Sequence, residues 1–223
     1  IKIKMRNKMI KHICLLLIMF LFFELSFAKN PYDITAKEII EKVQAKYKKT
    51  NTLIAKYTQT TKFKLTKFEQ SVNGTLYLKK EKKYRIETND QIFITDGVTS
   101  WAFTNKTNQL VIDNFKEDKN SISPEKFLVE YPEDYYSSLI GKSKVNNQEV
   151  YELKLIPKSS NNFIKSMKVW VDDDEWFIRK VELTDINDNI TIYTVKKVDV
   201  NVEINNDKFQ FKPGKDIQVI DLR

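Results

Sequence analysis

The chain has 223 residues, with 38 Lys or Arg against 30 Asp or Glu and a formal net charge of +8. Its single histidine and single cysteine, His12 and Cys14, both lie within the first 28 residues. The rest of the chain therefore has no material for a serine–histidine triad, a thiolate nucleophile, or a zinc site with histidine or cysteine ligands. We expect a binding protein that is not an enzyme and has no metal and no cofactor.

The N-terminal segment has the three parts of a secretory signal peptide. Basic residues occupy positions 2–11, an apolar run of about 11 residues covers positions 13–23, and Ser26-Phe27-Ala28 fits a cleavage site. We expect cleavage of residues 1–28, a mature chain that starts near Lys29, and export to the periplasm. The apolar run is shorter than the roughly 20 residues of a membrane-spanning helix, so an uncleaved anchor is the less favoured alternative.

Half of the net charge belongs to this leader. Residues 1–28 contain five Lys or Arg and one Glu, so the net charge without them falls from +8 to +4. The remaining lysines are interspersed with acidic residues and form no cluster suited to a phosphate backbone. We predict no nucleic-acid binding, one domain over residues 29–223, and a monomer.

The first mature element is predicted to be an amphipathic helix. Thr35 and Glu38 have the spacing of a capping box. Apolar residues then recur at helical intervals along one face: Ala36, Ile39, Ile40, Val43 and Tyr47.

The period changes to two after residue 51, which predicts strands. The first is a long strand from Leu53 past Leu65. Further strands are predicted around Leu76 and Leu78 and over residues 84–88, 92–95, 100–104 and 109–113. Short turns join them, so the pattern favours an antiparallel meander.

Residues 114–142 interrupt this pattern and are predicted to form a helical insertion that covers the sheet. Ser123 and Pro124 suit a helix start, and Phe127 to Gly141 would follow as the helix. Strands are predicted again over residues 150–156, 163–171, 176–184 and 190–198, with a short last one around Phe209 and Phe211. The predicted fold class is α+β: a curved antiparallel sheet with helices on its concave apolar side.

Two acidic groups offer sharper hypotheses. Residues 172–175 (Asp-Asp-Asp-Glu) lack the ligand spacing and glycine of a calcium loop, and we interpret them as a solvated hairpin turn. Glu133 and Asp134, among tyrosines, could supply a general acid for a carbohydrate, but we favour the first turn of a lid helix. A hydrolase that uses carboxylates therefore remains an alternative function.

Four segments together resemble one known family. They are residues 74–80 (Gly-Thr-Leu-Tyr-Leu-Lys-Lys), 94–101 (Ile-Thr-Asp-Gly-Val-Thr-Ser-Trp), 155–158 (Leu-Ile-Pro-Lys) and 209–213 (Phe-Gln-Phe-Lys-Pro). Their order and spacing are similar to those of the periplasmic outer-membrane lipoprotein carrier family, LolA, over nearly the whole mature chain. The resemblance implies an unclosed β-barrel covered by helices.

The resemblance also implies a function and its partners. A carrier of this kind takes the acyl chains of triacylated lipoproteins from an inner-membrane ABC transporter and delivers them to an outer-membrane acceptor, without catalysing a reaction. A periplasmic binder of another lipid or amphiphile on the same fold remains the alternative.

The resemblance places Tyr84 and Ile86 at the mouth of an apolar cavity. The other residues that we expect in the cavity wall are Tyr57, Leu76, Leu78, Ile94, Trp101, Phe103, Leu110, Ile112, Phe127, Leu128, Tyr135 and Leu139. The family's lid latch is an arginine that bonds to lid backbone, and Lys80 occupies that position here, followed by Glu81 where the family usually has proline. Because lysine cannot make a bidentate planar contact, the latch is either looser or supplied by Arg85.

Overall fold

The computed structural model describes residues 34–116 and 134–223, which belong to one compact unit. In this part of the chain one α-helix, α1 (Ala36–Lys49), precedes twelve strands. The first six strands are β1 (Thr52–Lys62), β2 (Glu69–Lys79), β3 (Lys83–Thr88), β4 (Gln91–Thr95), β5 (Thr99–Thr104) and β6 (Gln109–Asn114). The last six are β7 (Tyr135–Val145), β8 (Gln148–Pro157), β9 (Ile164–Asp172), β10 (Ile178–Asp185), β11 (Ile190–Val200) and β12 (Gln218–Asp221).

All twelve strands form one sheet in the order β12-β6-β5-β4-β3-β2-β1-β11-β10-β9-β8-β7. The edge strands β12 and β7 do not pair with each other, so the sheet is unclosed. Neighbouring strands are antiparallel except β12, which pairs with β6 in parallel. The α+β class and the unclosed sheet are confirmed. No helix among the described residues is long and apolar enough to cross a membrane.

The first strand, predicted to run past Leu65, ends at Lys62, and two other predicted elements were wrong. Residues 135–142, predicted to be part of a helical insertion, lie in strand β7, which pairs with β8. The predicted last strand around Phe209 and Phe211 is instead a 3₁₀ helix (Asn206–Phe209) followed by irregular chain, and the last strand comes later, as β12. Phe127 and Leu128, expected in the lid, lie outside the described residues.

Helix α1 begins with the predicted capping box. The Thr35 hydroxyl oxygen accepts a hydrogen bond from the Glu38 N–H (3.2 Å), and the Glu38 carboxylate accepts one from the Thr35 N–H (2.7 Å). The Thr35 hydroxyl also donates to the Glu38 carboxylate (2.7 Å), and this bond, together with the one from the Thr35 N–H, lowers the pKa of Glu38. The buried side of the helix, Ala36, Ile39 and Val43, packs on strands β7 to β10, so hydrophobic contact fixes which face of the sheet the helix covers.

The sheet has an apolar layer on each face. We call the face under α1 the inner face. Leu53 and Ala55 of β1 belong to it and are paired with Leu78 and Leu76 of β2. The opposite, outer face is covered between β3 and β6 by residues 201–217, which we call the C-terminal segment and which contains Ile204 and Phe209.

The turn between β9 and β10 contains a buried ion pair. Asp172, 3% exposed, accepts hydrogen bonds from the N–H groups of Glu175 (2.6 Å) and Trp176 (2.8 Å) and from Nε of Arg179 (2.7 Å). Residues 172–175 thus lie in a hairpin turn, as predicted, but Asp172 is not solvated. Asp134 precedes strand β7 directly, rather than a lid helix.

Replacing Asp172 with Asn should lower the free energy of unfolding by about 3 kcal/mol, because the buried guanidinium group of Arg179 would keep only Glu175, whose side chain is largely exposed, as a counter-charge. Urea unfolding followed by circular dichroism measures this. The matched control is Asp174→Asn in the same turn, where the side chain is exposed and a change within about 0.5 kcal/mol is expected. Equal losses in both variants would contradict the role given to the ion pair.

Candidate functional site

Strands β1 to β4 place a row of large apolar side chains on the inner face. Leu78 is opposite Tyr84, Leu76 is opposite Ile86, and Ile86 is opposite Phe93 in the strand register. Because side chains alternate along a strand, residues that are opposite each other share a face. We call the following residues the inner strip: Tyr57, Leu76, Leu78, Tyr84, Ile86 and Phe93.

Most of the inner strip is only half-buried. Tyr84 is buried, whereas Leu76, Ile86 and Phe93 remain partly accessible. A row of half-buried apolar side chains on one sheet face is typical of a surface that binds an apolar ligand. Such surfaces contain few polar groups to orient the ligand. Tyr57, Leu76, Leu78, Tyr84 and Ile86 were all expected in the cavity wall, and the register places these five on one face.

At one end of the strip, the ring of Tyr57 lies on the backbone of Gly74. A Cβ atom added at Gly74 would be 2.4 Å from Cζ of Tyr57, so only glycine leaves room for the ring. Tyr57 also contacts Tyr193 of β11, with ring centroids 5.9 Å apart. Burial, together with the nearby Tyr193, raises the pKa of Tyr57 to about 12, and burial also raises the pKa of Tyr193.

At the other end, Tyr84 lies between two phenylalanines. Its ring stacks on Phe93 (5.6 Å between centroids) and meets Phe115 edge-on (6.1 Å). Such aromatic pairs each contribute about 0.5–1.5 kcal/mol beyond their buried area. Phe115 follows β6 and therefore marks where the chain leaves the sheet over this end of the strip.

The turn over residues 96–99 positions Phe115. The Asp96 carboxylate accepts hydrogen bonds from the N–H groups of Val98 (2.9 Å) and Thr99 (2.8 Å), and the Val98 carbonyl accepts one from the Phe115 N–H (2.7 Å). Gly97 has a φ of +93° and leaves a Cβ position only 2.7 Å from the Glu81 carbonyl oxygen. This turn therefore requires glycine for both its backbone angle and its close packing.

Five residues that we expected in the cavity wall lie on the outer face instead. They are Ile94, Trp101, Phe103, Leu110 and Ile112. They pack against the C-terminal segment through Phe209, Phe211 and Ile217. They share neither the face nor the environment of the inner strip and so cannot line the same surface.

The proposed latch residues also lie away from the inner strip. Arg85 is on the outer face, where it pairs with Glu87 and donates from Nη1 to the Lys208 carbonyl (3.4 Å). It bonds to backbone, as a latch would, but to that of the C-terminal segment. Lys80 is exposed in the β2–β3 turn, where its backbone N–H donates to the Asn51 carbonyl (3.0 Å).

Tyr135 and Leu139 are on the inner face, but in β7 under α1. Tyr135 is buried with Leu153 and Leu155 in the main core, and Leu139 packs against the same cluster. Both belong to the cluster under α1, which Leu78 at one end of the inner strip also contacts.

Three aromatic residues of this site were not predicted: Phe93, Phe115 and Tyr193. For Phe93 the signal was present, because it is opposite Ile86 once β3 and β4 are paired as a hairpin. Ile94 was chosen in its place because the sequence does not show which side of β4 faces inward.

A cavity of about 510 Å³ also exists beside the Tyr57 end of the strip, and Tyr57 and Gly74 contribute to its lining. Its lining includes Lys56, Thr75, Glu87 and Lys196. These charged groups make it unsuitable for an acyl chain. In the described residues no group of three or more His, Cys, Asp or Glu side chains is placed to hold a metal ion.

Gly74→Ala should displace the Tyr57 ring and lower the free energy of unfolding by about 1–3 kcal/mol, as overpacking does. The displaced phenol would be more hydrated, so the pKa of Tyr57 should fall from about 12 toward the ordinary value of about 10. NMR titration of ring-labelled tyrosine measures this.

The raised pKa of Tyr57 also makes the free energy of unfolding depend on pH. A pKa raised in the folded state gives stability that is complete below about pH 10 and is lost as the pH rises toward 12. Gly74→Ala should therefore weaken this alkaline loss of stability. Gly214→Ala is the control, because nothing lies within 4 Å of a Cβ there. An unchanged titration in Gly74→Ala would contradict the placement of the ring.

Comparison with known proteins agrees with this architecture. The family described as outer membrane lipoprotein carrier protein LolA matches residues 48–212. An uncharacterized protein of Methanocaldococcus jannaschii is 28% identical over 202 residues, an alignment that covers 89% of this chain but only 58% of that relative's length. The outer-membrane lipoprotein carrier protein of Haemophilus influenzae is 23% identical over 194 residues, which cover 86% of this chain and 91% of the relative.

Among solved structures, an uncharacterized conserved protein from Thermus thermophilus superposes with a TM-score of 0.56 at 14% identity, covering 83% of this chain and 98% of that one. This likeness concerns the fold alone. The family match extends over most of the sheet, from the end of α1 to the C-terminal segment. The chain therefore belongs to the outer membrane lipoprotein carrier protein family LolA.

Proposed function

We propose that this protein is a periplasmic carrier that binds the acyl chains of triacylated lipoproteins on its inner strip. The observation that carries the proposal is the row formed by Leu76, Ile86 and Phe93, three half-buried apolar side chains in register on adjacent strands. Family membership supplies the class of ligand. The charged groups in the lining of the 510 Å³ cavity, Lys56, Glu87 and Lys196, make the inner strip the better match to an apolar chain.

Release of cargo requires that part of the binding energy be offset. At about 0.8 kcal/mol per methylene, one fully buried acyl chain contributes on the order of 10 kcal/mol, and release of several chains would be slow. Contacts that the empty carrier makes and the loaded carrier loses would reduce this energy. Arg85 does not supply such a contact on the inner face, because it donates to the Lys208 carbonyl on the outer face. We therefore assign this role to the contact between the rings of Phe115 and Tyr84.

The carrier proposal brings its partners with it. An inner-membrane ABC transporter would load the protein and an outer-membrane acceptor would unload it, with cleavage of residues 1–28 placing the mature domain, 29–223, in the periplasm.

A binder of another amphiphile is the second candidate. The observation that favours it is the position of Arg85 on the outer face, because a polar latch of the expected kind is then not formed against a lid on the inner face. The two candidates share the inner strip and differ only in the molecule that occupies it.

The test is native mass spectrometry of the full chain after co-expression with an epitope-tagged triacylated lipoprotein. A one-to-one complex is expected. Ile86→Glu and Phe93→Glu should reduce the complex at least tenfold, because each places a charge in the apolar row. The matched control is Ile156→Glu, since Ile156 is exposed on the outer face of β8.

The outcomes separate the candidates. Protein that carries a small lipid and no lipoprotein would replace the carrier proposal with the amphiphile binder. Protein with neither ligand, or a complex that Ile86→Glu and Phe93→Glu leave unchanged, would overturn the assignment of the inner strip as the binding surface.

A further inference from the structure

One end of the sheet exposes a cluster of large apolar side chains. In the turn between β1 and β2, residues 63–68, which we call the tip, Phe63 is 38% exposed, Leu65 94% and Phe68 58%. Single exposed apolar residues are common on protein surfaces. Three in one six-residue turn form an apolar patch, which is typical of an interaction site. Phe163 and Ile186, both exposed, lie at the same end of neighbouring strands.

The tip is an ordered structure. The Phe63 N–H donates to the Phe68 carbonyl (2.8 Å), and the two rings stack with centroids 6.1 Å apart. The Lys64 N–H donates to Oδ1 of Asn189 in the β10–β11 turn (3.0 Å). The fold therefore holds Leu65 out in solvent, because the backbone on either side of it is fixed.

Lysines alternate with these apolar residues, in the sequence Lys62-Phe63-Lys64-Leu65-Thr66-Lys67-Phe68. The acidic groups nearby are largely engaged in local contacts. Glu69 pairs with Lys62 (3.3 Å), and Asp188, which Lys64 also faces, pairs with Lys165 (2.6 Å).

Asp185, at the end of β10, is a further acid near the tip. Its carboxylate accepts hydrogen bonds from the backbone of its own turn, at Asn187 and Asn189. Residues 62–69 contain three lysines and one acid, Glu69, so this stretch has a net charge of +2.

We propose that this end of the sheet docks on an anionic lipid bilayer. Phe63, Leu65 and Phe68 would enter the boundary between headgroups and acyl chains, while the lysine ammonium groups contact lipid phosphates. A narrow convex turn with apolar side chains between cations fits a deformable lipid surface better than a protein, since stable protein interfaces need a larger complementary area. The inference does not depend on the cargo of the inner strip.

Sedimentation with large vesicles tests the proposal on the full chain. The protein should bind vesicles of phosphatidylcholine with about one third phosphatidylglycerol, and more weakly to phosphatidylcholine alone, because the lysines contribute only against anionic lipid. Leu65→Glu and Phe68→Glu should each reduce binding to anionic vesicles at least fivefold. Salt should weaken binding, since it screens the lysine–phosphate contacts.

Leu222→Glu is the matched control, because Leu222 is also an exposed leucine but follows β12, where its N–H donates to the Ile112 carbonyl, toward the end of the sheet opposite the tip. It should leave vesicle binding unchanged. Circular dichroism melting curves check that all variants are folded.

A second readout reports position directly. An environment-sensitive fluorophore on Leu65→Cys, with Cys14→Ser to make the label unique, should shift its emission to the blue when anionic vesicles are added. Wild-type protein that stays in the supernatant, or a label that remains in water, would overturn the proposal. A self-association that Leu65→Glu abolishes, without vesicle binding, would replace the bilayer with a second copy of the chain.

Discussion

The structure depends on one constraint: a single-layer sheet has two faces, and here both carry apolar side chains. Strand β2 illustrates this, since Leu76 and Leu78 face inward while Tyr77 between them packs with the outer cluster. Each face needs a separate cover. Helix α1 covers the inner face of β7 to β10, and the C-terminal segment covers the outer face of β3 to β6. Among the residues that the structure describes, these two covers leave Ile86 and Phe93 on the inner face of β3 and β4 half-buried.

Polar bonds as well as apolar contact hold the outer cover. Nζ of Lys79 donates to the Ile204 carbonyl (3.2 Å) and to Oδ1 of Asn206 (2.7 Å), and Nζ of Lys208 reaches Glu87 (3.2 Å). With the Arg85 contact, β2 and β3 are attached to the C-terminal segment by three cations. These cationic side chains therefore stabilise the outer face. Arg85, which was predicted to be the lid latch, is one of them.

The sequence predicted most strands and the helix because their periods differ, but period two does not say which set of side chains faces inward. For this reason the predicted cavity wall combined Leu76 and Ile86, which the strand register places on the inner face, with Ile94 and Trp101, which lie on the outer face. The error in β7 has a related cause. Tyr135 and Leu139 are four residues apart, a spacing that puts two side chains on one side of a helix and of a strand alike. Strand β12 could not be predicted, because a four-residue parallel edge strand depends on its partner β6.

The register also gives the inner strip a direction. Tyr84 and Phe115 occupy one end, where the Gly97 turn holds the chain against the sheet. From Leu76 the strip continues along β2 to Gly74, where the Tyr57 ring lies, and six residues further along the same strand is Phe68 of the tip. At about 3.3 Å per residue this separation is about 20 Å. Tyr84, which is opposite Leu78 near one end of β2, and the tip, which precedes the other end of β2, thus lie at opposite ends of this strand. An acyl chain that moves between the inner strip and a bilayer docked at the tip would therefore pass Tyr57, because that ring lies on the strip nearest the tip.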